Sequence, residues 1–171
     1  MQSALENIGV TISIAALIIS CCTLVIARSQ MRISSAKAKL DLYNKRFSIY
    51  VSALDYYQAL WADMTEDNLI EVSSKSSAFV KAYRESQFLF DEKSKIYETL
   101  AVIMNSGSSM AFYFKRKVES DSGAVDYRDD LQVLHGNYLK AQDNFEKNLS
   151  VLEDKLKKYL DFTSVNGWKF F

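Results

Sequence analysis

Residues Ile8 to Ala27 form twenty consecutive uncharged, mostly apolar positions, and no other stretch restricts the fold as tightly. At a rise of about 1.5 Å per residue, a helix of this length spans roughly 30 Å, the thickness of a bilayer's hydrocarbon core. Lipid offers backbone amides no partner, so the segment is expected to be helical. This points to the membrane as the place of work and leaves the chemistry open.

The flanks give the direction. Met1 to Asn7 contain no Lys or Arg and one acid, Glu6; after the span come Arg28, Arg32, Lys37 and Lys39, with no acid until Asp41. Basic flanks stay on the cytoplasmic side, so the amino terminus is expected outside and the rest of the chain inside. The four cations also form a membrane-surface flank, each worth about 1 kcal/mol near anionic headgroups. A cleaved signal peptide is the rival reading, because Val25-Ile26-Ala27 resembles a cleavage site. The missing early cation and the long apolar run favour an uncleaved anchor.

Within the span, Gly9, Ser13, Ala16, Ser20, Thr23 and Ala27 recur at alternating steps of four and three. Such a stripe of small residues is the kind of face on which two membrane helices approach closely. Cys21 and Cys22 are the chain's only cysteines and sit in the apolar run, where cysteine behaves as a small hydrophobe.

Beyond the anchor, the absence of proline and the lack of two-residue alternation predict an all-α body. Ile33, Ala36, Leu40, Tyr43, Phe47, Tyr50, Leu54, Tyr57, Trp61 and Met64 alternate steps of three and four as a heptad seam, which predicts one helix continuing from the anchor. Thr65 is placed to cap a second helix over about 66–90, whose Ser73, Ser74, Ser76 and Ser77 invite a break. Asp91 is placed to cap a third helix, about 92–118. Asn105 to Ser109 interrupts its pattern, through a kink or through a close helix crossing over small residues, the latter being favoured. Glu119 to Ala124 reads as a loop before a fourth helix, about 125–161. Short connections predict an antiparallel bundle of about four long helices with coiled-coil-like seams. The expected divisions are an anchor at 1–28, a cytoplasmic bundle at 29–162 and an aromatic tail at 163–171. In the tail, Trp168, Lys169, Phe170 and Phe171 suit either the membrane interface or the open end of the bundle.

Three blocks carry a likeness: Lys39 to Tyr50 (KLDLYNKRFSIY), Phe88-Leu89-Phe90 followed by Ile96-Tyr97, and Lys158-Tyr159-Leu160-Asp161-Phe162. They resemble a broad group of uncharacterised bacterial proteins with one amino-terminal span and a helical cytoplasmic region. The resemblance implies a bacterial inner-membrane setting and supplies no activity. The serine-rich second helix departs from the more charged equivalent expected of that group.

Reactive chemistry is not expected. A single histidine, His135, is incompatible with paired-histidine di-iron and HExxH zinc sites, and its nearest acids, Asp129 and Asp130, lie off its helical face. No phosphate-cradling glycine pattern exists, and the sequence marks no catalytic, cofactor or metal residues. With 21 basic and 21 acidic residues, no broad basic face is available for nucleic acid. Lys155, Lys157 and Lys158 read as a solvated face; Lys45-Arg46, beside Tyr43 and Tyr50, read as surface ion-pairing residues in preference to a site for a partner or headgroup. The expectation is a non-enzymatic single-pass membrane protein whose bundle is an interaction module. Its partners would be the bilayer, a second copy through stripe and seam, and a protein of unknown identity. Two alternatives stay open: a membrane-damaging effector of a toxin or anti-phage system, and an anchored ligand sensor with Asn105 to Ser109 lining its pocket.

Overall fold

A computed structural model describes residues 2–62, 65–123 and 128–161. Among them are four α-helices, a short 3-10 turn and no strand. The helices are α1 (Gln2–Trp61), α2 (Glu66–Leu89), α3 (Ile96–Asp121) and α4 (Arg128–Leu160), with the turn at Glu92–Ser94. The chain divides into two compact units, Met1–Asp41 and Leu42–Phe171. Residues 29–41, expected with the body, thus fall in the first unit. In the second unit Arg46 of α1 bonds the carbonyl of Leu89 at the end of α2.

In the first unit, α1 is the one helix, among the described residues, long and apolar enough to cross a membrane by length and composition. Its described side chains are exposed throughout, Leu17 and Leu24 at 67% each. Three hydroxyls of this stretch are bonded inside the helix. Ser13 Oγ donates to the Gly9 carbonyl at 2.9 Å, Ser20 Oγ to that of Ala16 at 2.8 Å, and Thr23 Oγ1 to that of Ile19 at 2.8 Å.

In the second unit the core is built from all four helices. Ile49, Ala53, Tyr56 and Leu60 of α1 meet Val72 and Phe79 of α2, Leu100, Ile103, Met110 and Phe114 of α3, and Phe145, Leu152 and Leu156 of α4. The buried line of α1 therefore runs at 49, 53, 56 and 60, not at the expected seam. Tyr43, Tyr50, Leu54 and Tyr57 are half-buried, while Leu40 in the first unit and Phe47 and Trp61 in the second stay 42–50% exposed. Both lines have heptad spacing, and the larger side chains of the seam outweigh the smaller Ala53 to the eye. Met64 lies outside the described residues.

The serine-rich stretch does not break α2, because Ser77 Oγ donates to the Ser73 carbonyl and keeps the turn within the helix. Thr65 caps it as expected, its Oγ1 accepting from Asn68 N at 3.3 Å. Asp91 caps the 3-10 turn instead of α3, accepting from Ser94 N at 2.8 Å; α3 then starts after Lys95, which is left-handed at φ 52°. Across Asn105 to Ser109, α3 is continuous, and Ser106 and Gly107 are buried. A Cβ on Gly107 would collide with the Tyr56 ring, whose Cζ and Oη would lie 2.8 and 2.9 Å away. The close crossing expected there is the arrangement found. At the predicted loop, α3 extends to Asp121 and ends in a turn at Gly123, φ 73°.

Candidate functional site

α1 and α4 bound a cleft of about 440 Å³ with Phe47, Tyr50, Leu156 and Leu160 as its apolar lining and Glu153, Lys157 and Asp161 around them. On α1 the lining comes from seam positions. Tyr43, Phe47 and Tyr50 form a ladder of rings, with centroids 6.2 Å apart at each step. On α4, Leu156 belongs to the core and half-buried Leu160 packs against it. Tyr50 Oη donates to Glu153 Oε1 at 2.8 Å, and that bond, with burial, raises the phenol's pKa. About two turns along, Tyr57 Oη donates to Glu146 Oε1 at 3.0 Å, and burial first, then Glu146, raises its pKa. Two seam tyrosines thus tie α1 to α4 through their hydroxyls, and the ring of Tyr50 borders the cleft.

A second cleft, about 710 Å³, lies between α2 and α3 and includes Val72, Ser73, Ser76, Ser77, Ala111 and Lys115 in its lining. Neither cleft is lined by Asn105 to Ser109. The Tyr56 ring occupies the space over Gly107 that a ligand pocket there would need. Tyr56 Oη is buried and makes no hydrogen bond of good geometry, although the nearby Ser76 hydroxyl partly offsets the upward push of burial on its pKa.

The proposed stripe, Gly9, Ser13, Ala16, Ser20, Thr23 and Ala27, is wholly exposed in the first unit, as are Arg28, Arg32, Lys37 and Lys39. The aromatic tail, Trp168 to Phe171, lies outside the described residues. His135 is exposed and sits beside Tyr113 and Tyr138, with centroids 5.5 and 6.1 Å away. No group of three potential metal ligands occurs among the described residues.

Sequence reasoning missed two cationic clamps. Arg46, read as half of a surface ion pair, donates through Nε and Nη2 to the Leu89 carbonyl at 3.1 and 3.0 Å. Its guanidinium also lies 5.5 Å from the Phe90 ring centre and 4.9 Å from that of Tyr159. It therefore satisfies the carbonyl end of α2 and stacks on α4 at once, a pairing suited to a flat, forked cation. Tyr159 Oη closes the cluster by donating to Asp91 Oδ2 at 2.7 Å, a bond that holds the Asp91 carboxyl below its ordinary pKa. Lys155, read as solvated, donates to the Lys95 carbonyl at 2.9 Å and to Thr99 Oγ1 at 2.7 Å, fastening α4 to the left-handed turn before α3. Each clamp includes a backbone carbonyl distant in sequence and brought near only by folding, so no local motif announced it. Lys157 behaves as expected, pairing with Asp154 at 2.6 Å.

Comparison with family models, with curated proteins and with solved structures gave no match.

Proposed function

We propose that the chain is a non-enzymatic, single-pass protein of the bacterial inner membrane. Its amino terminus lies outside, and its cytoplasmic antiparallel bundle serves as an interaction and assembly module. One observation carries this reading: from Thr11 to Ile26 every side chain of α1 is exposed, large aliphatics included. An apolar surface of this size in water would be an aggregation liability; in lipid it is the favoured state. The internally bonded Ser13, Ser20 and Thr23 hydroxyls fit the same medium, since their protons need no water. The cations from Arg28 to Lys39 support the orientation by the positive-inside bias.

Residue pairs running in opposite senses support the antiparallel bundle. Tyr50 meets Glu153 and Tyr57 meets Glu146; Arg46 meets Leu89 and Asp55 meets Lys75; Thr99 meets Lys155 and Tyr113 meets Tyr138. Self-association is supported by the small-residue stripe, whose hydroxyls are internally engaged, so that two copies would meet there by close packing. The likeness to single-span bacterial proteins with helical cytoplasmic regions agrees with this reading.

The test is extraction followed by crosslinking. The chain is expected to stay with membranes through an alkaline carbonate wash and to crosslink to itself in them. Release into the wash overturns the anchor. A monomer by light scattering in detergent, with no crosslinks in membranes, overturns assembly.

A further inference from the structure

We propose that the cleft between α1 and α4 is the seat of the chain's own aromatic tail, with Trp168 and Phe170 laid against Phe47 and Leu160. Residues 162–171 lie outside the described residues; the cleft, and the point at which the chain leaves it, select them as its occupant. The seat belongs to the second unit alone and holds whether or not α1 crosses a membrane.

The floor of the cleft is already fixed. Tyr50 is bonded to Glu153, and Leu156 is buried in the core. Two walls are less covered: the Phe47 ring is 42% exposed and Leu160 is half-buried. A cleft of about 440 Å³ with this lining has the size of a site that holds a compact apolar group.

The end of α4 selects the occupant. Glu153, Leu156, Lys157 and Leu160 lie on one face of α4, and Asp161 directly follows it. The cleft thus runs along the last two turns, about 12 Å, and opens at Asp161. Phe162 therefore leaves from its mouth. Ten residues follow Asp161; a tight turn takes four, and the other six reach about 20 Å when extended. That exceeds the length of the cleft. In an extended chain Trp168 and Phe170 share one face and Lys169 takes the other. The short tether holds both rings near the cleft at an effective concentration in the millimolar range.

The charges agree with this occupant. The rim carries Glu153 and Asp161 against one cation, Lys157, which is itself paired with Asp154. Lys169 is the one charged side chain of residues 162–171, and it brings the opposite sign.

The test uses the full chain in lipid vesicles, with Cys21 and Cys22 replaced by serine and Trp61 by phenylalanine, so that Trp168 is the one indole. Trp168 is expected to emit at shorter wavelength than a solvated indole and to escape quenching by lipids brominated along their chains. In F47D, with helix content followed by circular dichroism, its emission is expected to shift to the solvated wavelength. K157C with K169C is expected to join within one chain through a short bridging reagent, whereas K81C on exposed α2 with K169C is not. The cysteine pair keeps Phe47 and the core, so it decides the matter if F47D unfolds the bundle. A Trp168 that emits as in water, or that a folded F47D leaves unshifted, overturns the seat. Quenching by brominated lipid overturns it too and gives the tail to the bilayer. So does a crosslink that forms between copies, or equally well at Lys81. A chain that does not hold to vesicles overturns the anchor alone, and the same readings taken in buffer then decide the seat.

Discussion

At the scale of single residues, the crossing of Tyr56 over Gly107 is the sharpest constraint in the body. With the ring already where a Cβ would go, G107A forces α1 and α3 apart, and a loss of about 1–3 kcal/mol in denaturant unfolding is expected. A change below 0.5 kcal/mol would mean that the ring moves aside freely. The hydroxyl of Tyr56 makes the opposite prediction. Buried without a well-formed bond, it contributes desolvation cost and little else, so Y56F should leave stability unchanged or raise it by about 1 kcal/mol. A loss of that size instead would show that Ser76 bonds it.

Tyrosines also set the alkaline limit. Burial first, then the bond with Tyr97, pushes the Tyr83 phenol up to about 12 from its ordinary 10.0. A group whose folded pKa is raised contributes stability that is complete below pH 10 and lost as pH rises towards 12. Stability should therefore fall over that window, less steeply in Y83F, with tyrosinate absorbance reporting the same shift. An unchanged slope in Y83F contradicts this.

Among the elements, α1 shows what the sequence could and could not convey. Its helical state was plain from the absence of breakers and the alternating steps. Its phase was not, because two lines one residue apart both satisfy the heptad rule, and only the neighbours decide between them. The small residues from Asn105 to Ser109 allowed a kink or a crossing, and the crossing, the favoured of the two, is found at Gly107. Arg46 and Lys155 gave no sign of their carbonyl partners, which are distant in sequence. The αL residue Lys95 was equally silent, so Asp91 was matched to the wrong element. The phase has a direct test. L60A empties a fully buried site and should cost about 2–5 kcal/mol, whereas F47A, at a half-open site, should cost the isolated body under about 1 kcal/mol. Equal losses at the two positions would return the seam to the core.

For the molecule as a whole, the proposed function depends on residues 8–27 lying in lipid and the residues after them in the cytoplasm. The stripe and the basic flank then act on copies already aligned by the bilayer, which raises their effective concentration before any contact forms. The most direct test is protease treatment of spheroplasts carrying the chain with an epitope at its carboxyl end. Anchored as proposed, the epitope survives in intact spheroplasts and disappears once they are lysed, on a chain that still includes residues 8–27. Digestion from the outside, or a mature chain beginning at Arg28, would contradict the anchored topology and the assembly built on it.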